Sequence, residues 1–151
     1  MTMTESNAPE TRNRTPIHLW IVGVLSLLWN IMGAFDYLAT QLRLDSYMSQ
    51  FTEAQLAYFY GIPKWAVAGW AFAVWAALAG SIGLLLRRKW SLWSFVVSFA
   101  GMVVSTIYNF GLSNGAEIMG TAGAIFSMVI WVVAILLLVY AWRQTKKLVL
   151  R

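Results

Sequence analysis

Residues 23–41 read GVLSLLWNIMGAFDYLATQ, part of a run apolar enough to cross a bilayer that still carries Asn30, Asp36, Tyr37, Thr40 and Gln41. Wound as an α-helix, Gly23, Ser26, Asn30, Gly33, Tyr37 and Gln41 fall within about an 80° arc. An unsatisfied polar group in hydrocarbon costs several kcal/mol, so this face must turn toward other helices or a wet cavity. Asp36 lies about 120° from Asn30, at the edge of the stripe and near the end of the span. The expected fold is therefore all-α, an integral membrane four-helix bundle arranged around this face.

Composition points the same way. The 151 residues are 60% hydrophobic and 11% charged, with a mean hydropathy of +0.64. A soluble domain carries about 25% charged residues. Four apolar runs are expected as spans, at about 16–38, 64–86, 90–110 and 121–142. The polar segment 1–15 is expected to be disordered and not a cleaved signal peptide, and 143–151 to form a basic tail. The net charge of +5 sits at helix ends, which reads as a topology signal and not as a nucleic-acid surface. With no cysteine there is no disulfide and no thiolate chemistry.

Between the first two spans, Leu44, Tyr47, Met48 and Phe51 recur at helical spacing, which predicts a short amphipathic helix at the membrane surface. Thr52-Glu53-Ala54-Gln55 has the capping-box pattern and predicts a second short helix over 53–59. This connection reads either as a covered linker or as a lid over the end of the bundle. In the second span Gly69, Ala73, Ala76, Gly80 and Gly83 share a face of small residues, suited to close packing within the bundle or across a dimer. The third span carries Ser91, Ser94, Ser98, Gly101, Ser105, Tyr108 and Asn109 on one face. That stripe is either interhelical hydrogen bonding or a cavity lining.

Counting Lys and Arg, nine flank one side of the bundle (the N-terminal segment, the 87–89 turn and the C-terminal tail). Only Arg43 and Lys64 flank the other. The positive-inside rule puts both termini in the cytoplasm. The first and third spans then run in the same direction. Asp36, Tyr37 and Gln41 lie level with Tyr108 and Asn109, and the last loop brings Asn114 and Glu117 to the same end. The expectation is an outward-facing polar pocket floored by Asn30. Asp36 is its ionisable member, unless it simply pairs with Arg43 or Lys64 at the interface. His18, at the membrane edge, reads as an interfacial side chain.

No metal-ligand spacing, phosphate loop or nucleophile–base set is present, so no metal, no cofactor and no enzymatic activity are expected. The segments LWIVGVLSLLWNIMGAFDYLATQ, FYGIPKWAVAGWAFAVWAALAG and YNFGLSNGAEIMG together resemble a family of small bacterial four-helix membrane proteins of uncharacterised function, some loosely labelled sugar transporter. The resemblance covers nearly everything after Thr15. It implies a bacterial inner-membrane location and places weight on Asn30, Gly33, Asp36, Tyr37, Gln41, Asn109, Ser113 and Asn114. The leading expectation is a small-solute transporter. As a transporter, four spans without an internal repeat would need a second copy for alternating access, so that reading carries a homodimer with it. The competing expectation is an accessory subunit of a larger membrane complex. An enzyme acting on a lipid or isoprenoid is disfavoured by the missing chemistry.

Overall fold

The computed structural model describes residues 14–151. The N-terminal segment expected to be disordered lies outside them as far as residue 13. Six helices follow in order: α1 Ile17–Gln41, α2 Asp45–Met48, α3 Glu53–Tyr60, α4 Lys64–Leu85, α5 Trp90–Thr106 and α6 Gly115–Lys146. A π-helical turn, Ile107–Leu112, continues α5. No strand occurs among the described residues. The helices Ile17–Gln41, Lys64–Leu85, Trp90–Leu112 and Gly115–Lys146 are long and apolar enough to cross a membrane. The chain fits an all-helical membrane protein.

The centre of the bundle is the antiparallel pair α4 and α5. Ser91 Oγ donates to Gly80 O at 2.7 Å and Ser98 Oγ to Ala73 O at 2.6 Å. Each step of seven along α5 is matched by seven back along α4, so the serine stripe stitches α5 to the backbone of α4. Backbones come closest at Gly101, where an added Cβ would sit 2.5 Å from Gly69 O and 2.6 Å from Ala73 N. The Phe95 ring covers Gly80, and Trp90 and Ser91 cover Gly83. The small-residue face of α4 is thus occupied by α5 at Gly69, Gly80 and Gly83. Ala76 of that face is half-buried.

α1 packs on the other flank of α4. There Asn30 Nδ2 donates to Ser81 Oγ at 2.8 Å and to Ala77 O at 3.3 Å. α6 leans on α5 and α3 and hardly approaches α1. Trp131 Nε1 donates to Thr106 Oγ1 at 3.2 Å, and the Trp131 ring meets Phe99 edge-on. α1 and α6 are joined at the basic end, where His18 Nδ1 and the Tyr140 hydroxyl share a hydrogen bond of 2.6 Å. They touch again at mid-span, where the Trp29 and Phe126 rings lie with centroids 6.4 Å apart. Leu19, Leu84, Phe95, Leu137, Ala141 and Leu150 fill the core at that end.

Several boundaries differ from those read in the sequence. The surface helix expected over Leu44 to Phe51 is a single turn, Asp45–Met48, with Met48 buried. The capping box forms: Thr52 N–H donates to Gln55 Oε1 at 3.1 Å, and Gln55 N–H to Thr52 Oγ1 at 3.3 Å. The loop expected before the fourth span shrinks to Ser113 and Asn114. α6 starts at Gly115 and breaks at Gly120 (φ 63°, ψ −163°), a conformation only glycine takes without strain. Residues 143–151 do not form a separate tail. α6 runs through Lys146, Leu150 is fully buried, and Arg151 exchanges backbone hydrogen bonds with Arg87 and Lys89.

α1, α4 and α6 end in the same six-residue hydrogen-bonded cap. Its left-handed position is filled by Arg43, Arg87 and Leu148, at φ 51°, 57° and 57°. A side chain there costs about 1 kcal/mol relative to glycine. Leu148 is 62% exposed and has little packing to lose. Leu148→Gly is therefore expected to be neutral or stabilising by up to about 1 kcal/mol, measured by thermal unfolding in lipid nanodiscs.

Candidate functional site

α4 and α5 form a base, α1 and α6 rise from its flanks, and a cavity of about 510 Å³ lies between them. It extends from Phe95, Val133 and Leu137 near the basic end to Asp36, Thr40 and Asn109 at the other. Its middle is lined by Trp29, Ala73, Ala77, Ser98, Met102 and Trp131. α2 and α3 strap its far end, which Tyr47, Phe51, Tyr58, Phe59 and Ile62 line. The connection is thus the cover that one of the two sequence readings anticipated.

The polar groups gather under this strap. The Tyr47 hydroxyl donates to Asp36 Oδ1 at 2.5 Å, tying α2 to α1. The Tyr58 hydroxyl donates to Asn109 Oδ1 and lies 3.1 Å from Ser113 Oγ, tying α3 to the π-helical turn. Ser113 Oγ in turn donates to Tyr108 O at 2.8 Å and accepts from Gly115 N–H at 3.3 Å. Gly115 has room for no side chain, since a Cβ would strike the Tyr58 hydroxyl. Rings run continuously through the strap: Phe35 meets Tyr47, Tyr47 meets Phe51, and Phe51 meets Phe59. Tyr58 then stacks on Tyr108, which meets Trp65 edge-on. Such contacts are each worth about 0.5–1.5 kcal/mol beyond the area they bury.

Burial, then the hydrogen bond to Asp36, then the Asp36 charge push the Tyr47 hydroxyl well above its ordinary range. Burial is also the main cause that raises Tyr58, with Ser113 opposing. A raised tyrosine pKa means that both bonds are fully present below about pH 10 and are lost only as pH climbs past it. Both hydroxyls are therefore donors at neutral pH.

Of the eight pocket residues read from the sequence, Asn30, Asp36, Tyr108 and Asn109 line the cavity. Asn30 also serves as glue, its amide N–H groups spent on α4. Tyr37 does not line it but packs edge-on against Trp70 and Trp75. Gln41 is exposed and borders a separate recess of about 100 Å³ beside Arg43 and Tyr60. Asn114 and Glu117 are exposed, because the early start of α6 turns them away from the cavity. Asp36 does not pair with Arg43, whose guanidinium instead lies 4.1 Å from the centre of the Tyr60 ring. Tyr47 and Tyr58 were missed. The available signal was that two tyrosines in an apolar connection each need a partner for the hydroxyl.

Ser105 is placed unlike its stripe-mates. One heptad after Ser98, its hydroxyl is buried without a hydrogen-bond partner, and the residue lines the cavity. Among the described residues no group of three His, Cys, Asp or Glu is placed to hold a metal ion. Comparison with known protein families, with curated proteins and with solved structures finds no match.

The strap bonds give a local prediction. Tyr58→Phe keeps the ring stack and loses the bond to Asn109, worth about 1 kcal/mol, or roughly fivefold in a local opening equilibrium. Amide hydrogen exchange over Glu53–Tyr60 is expected to quicken by about that factor. Unchanged exchange would show that the bond does not hold the strap.

Proposed function

We propose that the chain is a membrane-embedded transport protein for a small solute, which occupies the cavity between α1, α4, α5 and α6. The observation that carries this reading is the cavity's size together with its asymmetry. A volume of about 510 Å³ lies within the range of small-molecule sites, about 300–1,000 Å³. Its carboxylate and its tyrosine hydroxyls are collected at one end, while apolar and aromatic side chains dominate the rest beside Asn30, Ser98 and Ser127. Mere packing would not gather a carboxylate, two tyrosine hydroxyls and an asparagine amide around a space. The π-helical turn that presents Tyr108 and Asn109 adds support, since such turns recur at functional sites.

In the orientation that the basic residues favour, the strapped end faces outward from the bacterial inner membrane and the His18–Tyr140 end faces the cytoplasm. The outward end then carries the strap as a gate. The firmly packed basic end is the barrier that must open for release.

Transport requires that the cavity be reachable from each side in turn. The chain has no cysteine, so a single Ser105→Cys gives a clean reporter. A membrane-impermeant thiol reagent is expected to label it in both right-side-out and inside-out vesicles. Ser91→Cys, at a fully buried position between α4 and α5, is expected to stay unlabelled from either side. Labelling of Ser105→Cys from one side only would leave a binding protein and contradict transport.

A further inference from the structure

Resting on the small-solute reading, we propose that the cavity selects a lipophilic organic cation, an alkyl or aryl ammonium or phosphonium, over neutral and anionic molecules of the same shape. Charge is the first observation. Among the described residues the one carboxylate that lines the cavity is Asp36, and no described Lys, Arg or His lines it. Asp36 is bonded through Oδ1 to Tyr47, which leaves Oδ2 for a ligand. An anion brought here would meet a like charge and no cation in a medium where charge interactions are strong. A cation would meet an opposite charge already oriented by a tyrosine.

The walls are the second observation. Around the polar end stand Tyr47, Phe51, Tyr58, Trp70 and Tyr108, and deeper in lie Trp29 and Trp131. The negative faces of aromatic rings attract cations, most strongly where water is excluded, and quaternary ammonium ligands are commonly held in such cages. A sugar would instead need many convergent hydrogen-bonding groups. Here Asn30, Ser98 and Asn109 are already engaged with protein partners, and the unpartnered Ser105 hydroxyl is buried.

The route is the third. Met32 on α1 and Phe126 on α6 both line the cavity and are 63% and 57% exposed, and the Trp29 and Phe126 rings meet across the gap with centroids 6.4 Å apart. The gap between α1 and α6 is thus lined by exposed apolar side chains and bridged by a single ring pair, on a flank that faces hydrocarbon when the bundle spans a membrane. A solute that partitions into the bilayer can enter sideways, and lipophilicity is part of the selection. Gly33 lines this opening with nothing within 4 Å of an added Cβ.

The test is equilibrium binding to the purified protein in lipid nanodiscs, with empty nanodiscs subtracted. Three probes are used: tetraphenylphosphonium, the anion tetraphenylborate of the same shape, and neutral triphenylphosphine oxide. Saturable binding of tetraphenylphosphonium at one site per chain is expected, with none for tetraphenylborate and at least tenfold weaker binding for the neutral probe. Asp36→Asn is expected to weaken the cation at least tenfold, and Asp36→Glu to retain most of the affinity. If the neutral probe binds as well as the cation, and Asp36→Asn changes neither, the charge assignment is wrong while the solute-binding cavity stands. If none of the three binds saturably, the cation proposal falls, and the labelling of Ser105→Cys decides the transport reading separately. The comparison of probes on the unaltered protein decides the matter even where an Asp36 variant does not fold.

Discussion

The structure depends on how closely α4 and α5 approach. Gly101 meets the backbone of α4 at Gly69 and Ala73 with no room for a methyl group. The hydroxyls of Ser91 and Ser98 then reach α4 carbonyls directly. In a bilayer there is no hydrophobic gain in bringing two apolar helices together, so association rests on such fits between small residues and on short polar contacts. Once α4 and α5 are fused into one base, α1 and α6 must attach to different flanks. They meet through the core at the basic end and through the Trp29–Phe126 ring pair at mid-span, and the cavity is what remains between them.

That geometry also sorts the polar residues by role. Those directed at the α4 backbone are spent on holding helices together: Ser91, Ser98 and, from α1, Asn30. Those under the strap hold the cover in place through tyrosine hydroxyls. Ser105 belongs to neither set, because the register that serves Ser91 and Ser98 brings its hydroxyl to no acceptor. Asp36 bridges the two functions, fixed by Tyr47 on one oxygen and bordering the cavity.

Helix number, the two polar stripes and the capping box at Thr52 were legible because each is a local pattern of spacing. Asn30 and Asp36 stood out because a polar group in an apolar run has to be accommodated. The partners were not legible. Whether a serine binds a neighbouring helix or faces a cavity is decided by interhelical register, and stripes of identical period allow both. Asn114 and Glu117 were assigned to the pocket on the assumption of a loop. The glycine at 120 lets the helix begin earlier and break, which turns both outward. Tyr47 and Tyr58 lay inside an apolar pattern that reads equally as a surface helix, and only the fold of the connection shows that their hydroxyls point back into the bundle.

A tight base and an open cleft make opposite demands on two glycines, and their comparison is the most direct measurement. Thermal unfolding of Gly101→Ala and Gly33→Phe would be followed in the same lipid nanodiscs. The single methyl group at Gly101 should cost roughly 1–3 kcal/mol by overpacking. The far larger ring at Gly33 should be accommodated at little or no cost. Destabilisation of Gly33→Phe as great as that of Gly101→Ala, or no loss in Gly101→Ala, would contradict a bundle built on the α4–α5 seam with a cavity beside it.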